Sequence, residues 1–269
     1  MKGLDMKLGI AVVGVGGAVG TTIAAGIELL KAGKIDRTGL PLAEIDGLVE
    51  YTDIVVEGWD MFGEHLAAAA AEHEVLSHKQ FVAVEDRLRE VKPWRAIRDD
   101  RFLSNIEGEN LVTVVGHRSN IEQIRQDISA FKDRCDSVVV INLASTEKLT
   151  DEGNEIFNSL ESFDAALDEN SSEISPAMIY AYAAIAEGVP YGNFTPSLAA
   201  DIPALIEFAQ MNGVPLAGKD GKTGQTFIKT VLAPALKSRS LHVDGWYSTN
   251  ILGNRDGLAL SNEDSLASK

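Results

Sequence analysis

Leu8-Gly9-Ile10-Ala11-Val12-Val13-Gly14-Val15-Gly16-Gly17-Ala18-Val19-Gly20-Thr21 is the stretch that decides the fold. Residues 8–13 form a short apolar run without polar alternation, which reads as a strand buried on both faces. Residues 21–32 read as the helix that follows, ended by Gly33. Between them lies a glycine turn. Glycine lets the backbone approach a pyrophosphate, and the helix N-terminus offers free N–H groups and the positive end of a dipole. The usual G-x-G-x-x-G would put glycine at 19; Val19 stands there and Gly20 follows, giving G-x-G-G-x-x-G. Gly14, Gly16, Gly17, Ala18, Val19 and Gly20 are the expected cofactor-binding positions, against the plainer reading of a structural turn. The apolar length 8–30 also invites a membrane-span or signal-peptide reading. Its central glycines and Glu28 weaken a spanning helix and suit a strand–turn–helix unit.

Further along, 53–56 and 138–142 read as buried strands, as does the β-branched run 111–115. Residues 64–74, 121–134, 175–188, 202–212 and 223–236 read as helices, with Pro176 in a first turn. Residues 190–196 read as a loop, 213–217 as a short strand, and the alternating, aromatic 241–251 as an antiparallel strand. The alternation of strand and helix predicts a doubly wound parallel sheet, Rossmann-like, of α/β class. A change of character near Gly218 divides the chain into an NAD-binding domain, 1–218, and the beginning of a smaller α+β catalytic and oligomerisation domain, 219–269. The chain stops at Ser268-Lys269 without a closing apolar segment, which predicts a C-terminally truncated protein.

The strand 53–56 is followed by Gly58-Trp59-Asp60. Asp60, after an apolar strand, is the better placed ribose-binding carboxylate than Asp36; a helix N-cap is the competing role. The net charge of −16 disfavours nucleic acid and anionic membranes as partners, and any phosphate site must be locally positive against it. One cysteine, Cys135, excludes an internal disulfide framework and fits a cytoplasmic protein; it reads as structural. The histidines at 65, 73, 78, 117 and 242 show no zinc spacing. Trp59, Trp94 and Trp246 read as packing residues.

Six segments, taken in order, resemble the myo-inositol-1-phosphate synthase family. They are the glycine loop, Gly58-Trp59-Asp60, Asn142-Leu143-Ala144-Ser145-Thr146-Glu147, residues 190–197, residues 218–226 and Leu252-Gly253-Asn254-Arg255-Asp256-Gly257. Lys219-Asp220-Gly221-Lys222-Thr223-Gly224-Gln225-Thr226 looks like the family's D-D-x-K-S-G-Q-T, and 252–257 like its L-G-N-N-D-G. Lys219, Thr223 and Arg255 depart from those motifs toward prokaryotic members, and 190–197 is a shortened N-G-S-P-Q-N-T segment. The resemblance implies NAD-dependent cyclisation of glucose 6-phosphate to 1L-myo-inositol 1-phosphate in a homotetramer. The sugar is oxidised at carbon 5, enolised at carbon 6, closed by attack on the carbon 1 aldehyde and reduced again. Such chemistry needs cationic donors for developing oxyanions in a dry site.

By the same resemblance Lys269 matches the first lysine of the family's S-K-x-x-S-K, and Lys222, Asp220, Asn254 and Asp256 join it as catalytic positions. Asp220 and Asp256 would also position the nicotinamide, while Ala144, Ser145, Thr146 and Thr195 would line the cofactor. Against this stand plain readings: Asn254, Asp256 and Gly257 make a good turn, as do Asp220 and Gly221, and Lys222 and Lys229 sit where lysines are usually solvated. The identity of any assisting divalent metal or monovalent cation stays open. So do two rivals: an NAD(P)-dependent dehydrogenase of the homoserine or semialdehyde type, and a non-catalytic NAD-binding fragment. The 269-residue chain is expected to bind NAD and to turn over poorly by itself.

Overall fold

The structure is a computed structural model that describes residues 6–221, 224–248 and 255–267. Its centre is a six-stranded, all-parallel sheet. The strands are β1 (Leu8–Val13), β2 (Ile54–Asp60), β3 (Trp94–Arg95), β4 (Ser137–Asn142), β5 (Tyr191–Asn193) and β6 (Leu216–Ala217), in the order β3-β2-β1-β4-β5-β6. Leu8 pairs with Ile54 on one side and Ser137 on the other, so Val13 ends level with Trp59 and Asn142. The chain runs outward from β1 through β2 to β3, then returns to β1's other flank at β4. That reversal opens a crevice at the carboxyl ends of the strands, where open α/β sheets bind ligands.

Helices cover both faces, as β1 requires with side chains pointing alternately to either side. Val12 packs with α1 (Ala18–Lys31), α2 (Leu66–His73) and α3 (His78–Glu90). Ala11 and Val13 pack with α4 (His117–Lys132), α5 (Leu160–Asp168), α6 (Pro176–Ala186) and α7 (Pro203–Asn212). The helix starts are written locally. Ser77 and Gln80 form a capping box for α3, and the Ser175 side chain accepts from Met178 N–H with Pro176 in the first turn of α6. Trp59 is fully buried, donates its indole N–H to Asp127 Oδ2 at 2.8 Å, and meets Trp94 edge-on at 4.8 Å.

Several expectations are corrected. Residues 111–115 are not a strand: Leu111 makes one isolated bridge to Ala96, and Val115 is exposed. The supposed loop 190–196 contains β5, which extends the parallel sheet beside β4. Helices α3 and α5 lie where none was expected. Residues 241–248 form no regular element, because the alternating run has no neighbouring strand among the described residues. Trp246 is exposed and lies against Lys229 Nζ, 5.7 Å from the ring centre, so it is not a packing residue. After β6 come α8 (Gly224–Ser238), α9 (Asp256–Ala259) and α10 (Glu263–Leu266); α8 buries none of its described side chains.

Candidate functional site

The glycine turn is held from below by the sheet. The N–H groups of Gly14 and Val15 both donate to Trp59 O, at 2.8 and 3.2 Å, and Gly17 N–H donates to Gly14 O at 3.0 Å. Gly16 N–H donates to Asp60 Oδ2 at 2.9 Å, and His73 Nε2 lies 2.7 Å from Gly16 O. These amides are therefore occupied. The first backward bond of α1 is Thr21 N–H to Gly17 O at 2.9 Å. Gly17 at the N-cap brings no side-chain acceptor, so the N–H groups of Ala18, Val19 and Gly20 are the open donors of the helix start. The first turn of α1 thus presents the donors left open to an anion, and Gly16 braces that turn through Asp60.

Asp60, the last residue of β2, is only 8% exposed. Besides Gly16, its carboxylate accepts from Phe62 N–H at 3.1 Å. Burial pushes the carboxyl above its ordinary value, against the pull of those amides and of the Arg255 and His73 charges. A Cβ at 16 would stand 2.9 Å from Asp60 Oδ2 and would push that carboxylate out of its bond to the Gly16 N–H. The N-cap role is not realised: the cap of α2 is His65, whose Nδ1 accepts from Ala68 N–H at 3.1 Å.

A cleft of about 510 Å³ opens above these groups, an ordinary size for a cofactor site. Gly14, Gly17, Ala18, Val19, Gly20 and Asp60 line one part of it, Asn142, Ala144, Ser145 and Glu147 another, and Arg98, Asp99 and Arg255 bring charge. Arg255 lies over the Phe62 ring at 3.4 Å and pairs with Glu72 at 3.0 Å. It ties the late segment to α2.

Several known proteins are similar to this chain along most of its length. A family model described as myo-inositol-1-phosphate synthase, and named for NAD binding, matches residues 33–268. The chain belongs to the myo-inositol-1-phosphate synthase family. Inositol-3-phosphate synthase 1 of Bacteroides thetaiotaomicron is 40% identical over 98% of this chain and 65% of its own length. The Drosophila melanogaster inositol-3-phosphate synthase is 34% identical over 98% of this chain and 52% of its own. The crystal structure of inositol-3-phosphate synthase from Caenorhabditis elegans superposes with a TM-score of 0.88 at 26% identity, covering 98% of this chain and 58% of that one. The chain thus spans between about half and two thirds of the length of these relatives.

Within this family member the expected site residues separate into groups. Ala144 and Ser145 stand beside the glycine loop in the cleft, whereas Thr146 is buried and is not among the lining residues. Thr195 is also buried, its Oγ1 donating to Asn193 Oδ1 at 2.9 Å; Asp220 N–H donates to Thr195 O at 3.2 Å, so these two lie together past the end of β5. Lys222, Asn254 and Lys269 lie outside the described residues, and Asp256 is described only as the start of α9. Among the described residues no group of three His, Cys, Asp or Glu could hold a metal ion. Cys135 is half-buried, and burial pushes its thiol up, which suits a structural role.

Glu147 was not foreseen as a site residue. Its Oε1 accepts from Ala177 N–H at 3.0 Å in the first turn of α6, and its own N–H donates to Ser197 Oγ at 2.9 Å. Burial pushes the carboxyl up to about 7, although the Ser175 hydroxyl and the Ala177 amide lower it. Its folded pKa lies above its unfolded value of 4.5, so the folded state binds the proton more tightly. Stability is then lost as pH rises from about 4.5 to about 7, by on the order of 3 kcal/mol at most. Glu147→Gln should flatten most of that fall, read as urea midpoints at about pH 5 and pH 8. If the difference between the two midpoints survived the substitution, the titrating group would be another.

Proposed function

We propose that this chain supplies the NAD-binding part of an inositol-3-phosphate synthase, which converts glucose 6-phosphate to 1L-myo-inositol 1-phosphate. The observation that carries the reading is the pairing of three open helix-start donors with a buried carboxylate at the end of β2, in a member of this family. These residues fit a dinucleotide: the N–H groups of Ala18, Val19 and Gly20 suit a pyrophosphate, and Asp60 keeps lone pairs for ribose hydroxyls. NAD bound there would supply the hydride acceptor and donor that an oxidation at carbon 5 and a later re-reduction require.

The chain's own residues would bind and orient. Asp60 holds the loop through Gly16 and accepts from the ribose, and Ala144 and Ser145 form the wall at the end of β4. Asp220, Thr195, Asn254 and Asp256 are proposed to position nicotinamide and sugar, and Lys222 and Lys269 to offer ammonium groups to developing oxyanions. Residues 1–218 are proposed as the NAD-binding domain and 219–269 as the opening of the catalytic and oligomerisation domain. The apolar side chains that α8 leaves exposed, Phe227, Ile228, Val231 and Leu232, support that division and the assembly of a homotetramer. Among the described residues no helix is long and apolar enough to cross a membrane; a cytoplasmic location is proposed.

The test uses this chain and the same chain extended by the remainder of the Bacteroides relative. Both should bind NAD. The extended protein, given glucose 6-phosphate and NAD, should form an inositol phosphate without accumulating NADH. Steady NADH release would make it a net dehydrogenase and end the proposal.

A further inference from the structure

The cleft contains a cation that none of the roles above uses. Arg98 follows β3 on a backbone fixed from three directions: Ala96 N–H donates to Asn110 O at 2.9 Å, Val112 N–H to Ala96 O at 3.0 Å, and Ile97 N–H to Tyr180 Oη at 3.0 Å. Its side chain is 17% exposed and lines the cleft. Nη2 pairs with Asp100 Oδ1 at 2.8 Å, a carboxylate that is itself 76% exposed. Nε is buried and has no acceptor among the described residues. Buried donors nearly always have partners, and a charged one left without any is costly.

The neighbouring acids do not explain it. Asp99 is engaged by Arg101, with Nε donating to its Oδ1 at 2.9 Å, and Glu147 accepts from Ala177 N–H. Burial keeps Glu147 partly protonated near neutral pH, so it repels an incoming anion less than a full carboxylate would. The other arginine of the cleft, Arg255, already donates from Nη2 to both oxygens of Glu72. In a chain of net charge −16, a guanidinium held in the wall of the cleft and incompletely paired favours an anionic oxygen beside it.

We propose that Arg98 is a phosphate-binding residue of the cleft, its guanidinium donating to a phosphate oxygen of the nucleotide or of the sugar phosphate. The proposal rests on the cleft being the ligand site of the function proposed above. It is tested on the 269-residue chain by titrating ADP-ribose, glucose 6-phosphate, adenosine and glucose, with melting temperatures recorded in parallel. Arg98→Gln should weaken ADP-ribose or glucose 6-phosphate by about tenfold or more while leaving the unphosphorylated ligand of the same pair unchanged. The ligand that loses affinity identifies the source of the phosphate. Arg98→Lys keeps the charge without the forked donors of the guanidinium and should recover only part of the loss; it carries the comparison if the glutamine variant does not fold. Equal affinities in wild type and Arg98→Gln would overturn the assignment, as would equal losses for adenosine and ADP-ribose. Failure of wild type to bind ADP-ribose would instead sink the dinucleotide reading, and the glucose 6-phosphate arm would still judge Arg98. If wild type bound neither phosphate, both would fall.

Discussion

Gly58→Ala should destabilise the protein by on the order of 3–5 kcal/mol and lower its melting temperature by roughly 10 °C or more. Gly58 is paired with Val12 in the register of the neighbouring strands β1 and β2. Its φ is +153°, which side-chain-bearing residues rarely adopt, and an added Cβ would stand 2.0 Å from Val12 O and 2.5 Å from Val12 N. Both obstacles are backbone atoms in the middle of a sheet, so neither can swing aside. Relief would require β1 and β2 to part at the point where they carry Asp60 and the glycine turn. Guanidinium unfolding and calorimetry read the effect directly. A loss below about 1 kcal/mol would show that the ladder yields there at little cost.

The largest effect on ligand binding is expected from Gly20→Ala. Gly20 sits in the first turn of α1, and a Cβ on it would come within 2.5 Å of Val15 O and 2.9 Å of Gly14 O. The helix would have to draw back from the turn to make room. The donors of Ala18 and Val19 would move with it, away from the anion they serve. A shift of about 1 Å in such a group costs on the order of a hundredfold, so NAD binding should fall by about that factor in a protein that remains folded. Calorimetric titration of NAD, with circular dichroism as the folding control, measures this. Unaltered affinity would mean that the phosphates lie elsewhere.

The strand, turn and first helix could be read because each has a local signature: unbroken apolar residues, clustered glycines, then helical spacing closed by Gly33. Strand β4 and helices α4, α6 and α7 followed from the same patterns. The edges of the sheet did not. β3 and β6 have two residues each and β5 has three, too few to carry any periodicity; β6 was anticipated only because Gly213 and Gly218 frame it. Residues 111–115 misled in the opposite way. Their β-branched side chains suit a strand, yet Val114 and Val115 are exposed, and strand preference without a paired neighbour does not make a strand. Helix α3 is rich in charged residues, and only its Ser77–Gln80 cap announces it.

The site was legible in position more than in detail. Asp60 was placed at the end of an apolar strand, but its bond to Gly16 N–H depends on a contact across 44 positions of sequence that no spacing reveals. The free N–H groups of the helix start follow from the strand–turn–helix pattern; that the amides of Gly14, Val15, Gly16 and Gly17 turn inward does not. Arg98 sits in Arg98-Asp99-Asp100-Arg101, which reads as a solvated run of mixed charge until burial singles out one guanidinium. Glu147 closes the segment 142–147, yet nothing in its neighbours predicts that it is buried.

The sheet tapers from six or seven residues in its middle strands to two at either rim. A rim that short offers almost no ladder of vacant backbone groups to a strand from another molecule. Its two flanks are thereby blunted against edge-to-edge polymerisation, since a strand from another molecule would find almost nothing there to pair with.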